Sequence, residues 1–226
     1  MKKLIVFFML LFSTALMAQE SETRNVGSFK GVKAAEGIDV YLKKSDKESV
    51  KVESSGIPVN KVITEVSGDY LKIHLADGRY NRSRTVKVYV TYVELKGLSA
   101  SSAANIYSEG VITARVLTLN SSSAGTIEVS IDVENLRASA SSAADIELKG
   151  KAKIVDIDVS SAGEVDAYDL EAEEATLDAS SAGSAKITVT RKIEADASSG
   201  AEIRYRGNPT QTDTNSSSGG SVRKSS

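Results

Sequence analysis

In the second half of the chain, apolar residues recur at fixed distances from a pair of serines. Taking the second serine of each "SSA" or "SSG" triplet as zero gives Ser102, Ser123, Ser142, Ser161, Ser181, Ser199 and Ser218, at steps of 21, 19, 19, 20, 18 and 19 residues. Four residues downstream stand Ile106, Ile127, Ile146, Val165, Ala185, Ile203 and Val222. Four residues upstream stand Leu98, Leu119, Ala138, Ile157, Leu177, Ala195 and Thr214, and one place further on runs a polar column, Ser99, Asn120, Ser139, Asp158, Asp178, Asp196 and Asn215. This period-two alternation on both sides of the serines predicts short half-buried strands, and no window carries a sustained helical stripe.

The repeating unit is therefore strand, tight corner, strand. Stacked in register, such units form a parallel β-helix of about 19-residue coils spaced about 4.8 Å apart. A leucine-rich repeat has a similar period, but its several leucines and asparagine per unit are missing. An antiparallel sandwich gives no reason for identical corners at a fixed interval. In "LDASSAGSAKI", Leu177, Ala179 and Ile187 are expected to face a narrow interior and Asp178 and Lys186 the solvent. Ser180 to Gly183 form the corner, whose strain is expected at Gly183.

Residues 25–97 read differently. Longer alternating runs, "GIDVYLKK", "ESVKVESS", "DYLKIHLA" and "TVKVYVTYVEL", are separated by turn signals. "AAEGIDVYL" looks like a degenerate "SSAGEVDAY", so the same β structure is expected to extend here as an N-terminal β cap and first turns. The expected organisation is a signal peptide at 1–18, a short linker at 19–24, the cap at 25–97 and the repeats at 98–226, with 25–226 a single continuous domain.

The opening "MKKLIVFFMLLFSTALMAQE" has two lysines, an apolar run from Leu4 to Phe12 and small residues ending at Ala18. That is the form of a secretory signal cleaved before Gln19, its apolar core being too short for a permanent span. The chain has no cysteine, which excludes a disulfide framework and a cysteine-linked lipid anchor, so it is not expected to be a lipoprotein. A net charge of −2 predicts no nucleic-acid binding, and no later segment predicts a transmembrane span.

Candidate chemistry is sparse. His74, the only histidine, alternates with Ile73 and Leu75 and reads as an outward strand residue. Abundant serine does not make a nucleophile, which needs a placed base and an oxyanion hole; the paired serines fit tight corners. Asp158, Asp178 and Asp196 are expected to stack on one outer face as solvated acids, with a calcium ladder the sharper alternative. Five residues past zero runs Tyr107, Glu128, Glu147, Asp166, Lys186, Arg204 and Arg223, which passes from acidic to basic along the axis. The plain reading is a solvated surface with chance segregation; from Glu128 onward it is also the candidate interaction stripe, since two molecules side by side and antiparallel would set acid against base, with a homo-oligomer the sharper alternative. No catalytic, cofactor or metal residues are expected.

The order "SFKGVKAAEGIDVYLKKSDKESVKVE", then "DYLKIHL", then repeated "SSAG.V", resembles the putative auto-transporter adhesin, head GIN domain family, found mainly in exported proteins of Bacteroidetes. The resemblance runs from about Val26 to Val222. It implies a right-handed β-helical fold and an extracytoplasmic place, and it supplies no catalytic residues. The expected function is an exported, non-enzymatic envelope or cell-surface module for adhesion or scaffolding. Its site would be periplasmic, outer-membrane-associated or extracellular, its partner a protein or glycan of the envelope. The alternative is a polysaccharide-active β-helix lyase or hydrolase, although fold alone does not transmit that function.

Overall fold

A computed structural model describes residues 20–80 and 83–225. The expected signal peptide, residues 1–18, lies outside the described residues. Eight shorter strands come first: β1 (Glu20–Arg24), β2 (Gly31–Ala34), β3 (Asp39–Lys44), β4 (Ser49–Ser55), β5 (Val62–Ser67), β6 (Tyr70–Leu75), β7 (Thr85–Tyr92) and β8 (Gly97–Ala100). Five long strands follow: β9 (Asn105–Ser122), β10 (Thr126–Ser141), β11 (Asp145–Ser160), β12 (Glu164–Ala179) and β13 (Ser184–Ala197). The last are β14 (Glu202–Arg206), β15 (Gln211–Ser216) and β16 (Ser221–Lys224). Among the described residues no helix is long and apolar enough to cross a membrane.

β9 to β13 pair successively in parallel and in register, which makes a β-solenoid. Each long strand runs from one serine corner almost to the next, so a coil is one bent strand plus one corner. Ile106, Ile127, Ile146, Val165, Ala185 and Ile203 are fully buried, as the column pattern requires, and Leu98 through Ala195 line the other inner wall. Val222 is only half-buried and Thr214 exposed, because both belong to the last described coil.

Each corner is a four-residue turn. At Ser180 to Gly183, the Gly183 N–H donates to the Ser180 carbonyl at 2.9 Å, and the central Ser181 and Ala182 have φ of 51° and 60°. Two left-handed residues in succession match the I′ turn class, which usually recruits Asn-Gly. The same pairing recurs from Ser102 and Ala103 to Ser161 and Ala162, while Gly200 and Gly219 take the second place in the last two corners. The placement of strain at Gly183 is thus corrected. The left-handed backbone falls on Ser181 and Ala182, whereas Gly183 is small for want of space: a Cβ there would lie 2.9 Å from the Val159 carbonyl oxygen.

The unequal repeat steps are absorbed away from the serine corner. β10 pairs with β9 as Glu128 with Tyr107 and then Ser130 with Val111, so Ser108, Glu109 and Gly110 face Val129 alone. That bulge is the 21-residue step. In the 20-residue step, Ala167 and Tyr168 oppose Leu148 alone.

The N-terminal strands stack out of chain order. β3 pairs in parallel with both β9 and β7, and β2 with both β8 and β6, so the coil of residues 31–44 lies between that of 70–92 and the repeats. Outward of β6 and β7 the pairing turns antiparallel: β5 on β6, β4 on β7 and β1 on β4. The likeness of "AAEGIDVYL" to a repeat corner holds, one residue out of register. Glu36 and Gly37 carry the positive φ values, 65° and 67°, and Val40 pairs with Ile106.

Candidate interaction face

The parallel register assembles the column five residues past zero into one continuous ladder. Glu128, Glu147, Asp166, Lys186, Arg204 and Arg223 are cross-strand neighbours in that order. On the other side of Glu128 come Tyr107, Tyr41, Tyr89 and Lys51. The three phenol rings stack, with centroids 5.3 Å apart between Tyr107 and Tyr41 and 5.2 Å between Tyr41 and Tyr89. Tyr41 is covered by a ring on both faces and Tyr107 and Tyr89 on one face each, and Lys51 Nζ lies 5.8 Å from the centre of the Tyr89 ring. Sequence reasoning placed Tyr107 but missed Tyr41 and Tyr89. The shared pattern of "DVY", "KVY" and "NIY" was the available signal.

Charge along the ladder is locally paired yet unevenly spread. Lys186 Nζ donates to Glu164 at 2.7 Å and to Asp166 at 3.2 Å; the Glu164 hydrogen bond leads in raising its pKa. Arg204 Nε meets Glu202 at 2.9 Å, and Lys149 Nζ meets Glu147 at 2.8 Å. Around the acidic half the carboxylates outnumber their bases. Burial first, then Glu164, Glu147 and Asp166, push the Asp145 carboxyl above its ordinary value.

The bulge in β12 gives this half an open depression of about 430 Å³, lined by carboxylates, Tyr168 and Arg206. Tyr168 is well anchored: its N–H donates to Asp166 at 3.1 Å, its hydroxyl meets Ser225 Oγ at 2.8 Å, and Arg206 lies 3.9 Å above its ring. The bulge was readable as the single extra residue in the 20-residue step; what it does to the surface was not.

Elsewhere, Asp158, Asp178 and Asp196 do stack, and Asn215 Nδ2 donates to Asp196 at 2.8 Å. Among the described residues no group of three or more His, Asp or Glu is arranged to hold a metal ion. His74 is half-buried on β6, its Nδ1 2.9 Å from the Leu75 carbonyl. A groove of about 510 Å³ crosses the bend opposite the corners, where Arg115, Glu134, Lys153 and Glu173 alternate in sign from coil to coil.

A stack of coils whose outer surface is made of in-register side-chain ladders defines the class: a β-solenoid with flat, repetitive faces. The chain belongs to the family described as putative auto-transporter adhesin, head GIN domain, whose model matches residues 28–209. Among solved structures it is similar to a putative adhesin from Bacteroides fragilis, with a TM-score of 0.83 at 18% identity over 92% of this chain and 97% of that one. A putative lipid binding protein from Parabacteroides distasonis gives 0.74 at 20% identity, covering 92% and 97%. A putative adhesin from Parabacteroides merdae gives 0.71 at 18%, covering 92% and 96%. At such identities the likeness is one of fold. No curated protein matches the chain.

Proposed function

We propose that the protein is an exported, non-enzymatic module of the cell envelope or surface that holds a partner, protein or glycan, against the outer face of its solenoid. The observation that carries this reading is the single side-chain ladder from Lys51 through the tyrosine stack to Arg223. A rigid surface with one residue per coil suits a repetitive or extended partner, since each contact recurs at the coil spacing. The family description and the likeness in fold to putative adhesins support it. In the same reading β1, β4 and β5 form the cap that keeps the outermost parallel coil from pairing with other chains.

The test is a glycan array and an envelope-protein pull-down with the purified chain, read beside an assay for glycan breakdown. Capture weakened at least tenfold by Tyr41→Ala with Tyr107→Ala supports the reading. Shortened glycan products would overturn it in favour of a polysaccharide-active enzyme.

A further inference from the structure

We propose that the ladder's charged half binds a second copy of this chain, antiparallel, across a twofold axis lying between β12 and β13. The axis runs along the strands, so it keeps each column facing its own counterpart while reversing the order of coils. Glu147 then faces Arg204 of the second copy, Glu128 faces Arg223, and the Asp166 and Lys186 pairs of the two copies meet at the axis. Three acids followed by three bases at one-coil spacing call for a partner carrying the reverse order at the same spacing. The chain itself meets that requirement.

The flanking columns do not cancel the match. Superposition brings Asp145 towards Glu202 and Lys149 towards Arg206 of the second copy. Three of the four are already answered within their own chain: Glu202 holds Arg204 at 2.9 Å, Lys149 holds Glu147 at 2.8 Å, and Arg206 is drawn back over Tyr168 at 3.9 Å; Asp145 alone sits among carboxylates of its own chain. Glu147 and Arg204 keep side-chain exposures of 46% and 47%, which leaves both able to bridge outward. Three outward columns over six coils cover roughly 500 Å² per copy by strand and coil spacings, near the lower end for specific association. A concentration-dependent dimer, weakened by salt, is the form such an interface takes. The inference does not rest on where the module is exported, and it leaves the tyrosine half of the ladder, Tyr107, Tyr41 and Tyr89, to the partner proposed above.

Sedimentation velocity of the purified chain at tens of micromolar and low ionic strength should show a dimer that dissociates as salt is raised. Glu147→Arg alone and Arg204→Glu alone should each be monomeric, with far-UV circular dichroism and melting temperature unchanged. Mixing the two variants should restore a dimer, because each then supplies the charge the other lacks. A monomeric wild type, variants that still dimerise, or a mixture that stays monomeric would each overturn the proposal.

Discussion

Ala182 donates its backbone N–H to the carbonyl of Ser199, one coil further on, at 3.1 Å. The same bond joins Ala103 to Ser123, Ala124 to Ser142, Ala143 to Ser161 and Ala162 to Ser181. A left-handed alanine costs about 1–2 kcal/mol, and here that cost recurs coil after coil. The bond explains why it is tolerated: the turn's central amide would otherwise lack a partner within its own coil. Ala182→Gly keeps the bond and removes the strain, so it should raise stability by about 0.5–1 kcal/mol after the larger unfolded-state entropy of glycine is counted. Ala182→Val should lower it by about 1–3 kcal/mol. Urea midpoints check both, and a glycine variant less stable than wild type would mean that the corner is not strained.

The place after each alanine is governed by room rather than by φ. A Cβ on Gly163 would sit 2.6 Å from the Ala140 carbonyl oxygen, against 2.9 Å from that of Val159 at Gly183. Equivalent coils carry Ala104 and Ala144, so modest adjustment admits a methyl. Gly163→Ala should therefore destabilise by about 1–3 kcal/mol, and more than Gly183→Ala. Thermal melts of the two variants test the order, and equal melting temperatures would contradict the spacing.

Ser121 occupies an inward position filled by Ala100 and Ala140 in the neighbouring coils. Its hydroxyl is buried without a hydrogen-bond partner. Ser121→Ala deletes that unanswered group and leaves a side chain already shown to fit above and below. Stability should rise by about 1 kcal/mol. A fall in the urea midpoint would show that the hydroxyl is bonded.

The coils were legible because each one repeats the same answer: Ile106, Ile127 and Ile146 lie in one buried column, as the spacing requires. The corner's small residues were legible too, but not their separate reasons. Ser181, Ala182 and Gly183 are all tiny, and a sequence cannot divide left-handed backbone from close packing when one residue type satisfies both. The N-terminal stacking was hidden for another reason. β3 reaches β9 across residues 45–104, a long-range pairing in which chain order and spatial order part company. The tyrosine ladder vanished with it, since Tyr41 and Tyr89 meet only through that order.

The aspartate ladder carries a pH signature. Burial first, then Asp158, Asp196 and Asp156, push the Asp178 carboxyl above its ordinary 3.8. The folded chain thus holds this proton more tightly than the unfolded chain does. Near neutral pH both states are ionised and the full repulsion weighs on the fold. As pH falls through the raised native value towards 3.8, proton uptake favours the folded state and this penalty disappears. Asp178→Asn should therefore raise the melting temperature near neutral pH and shrink the gain in stability on acidification. An amide suits the site, because Asn215 already donates to Asp196 in the same column. A variant with a lower neutral melting temperature, or with the wild-type pH slope, would show that solvent screens the column and that its carboxylates do not act on one another.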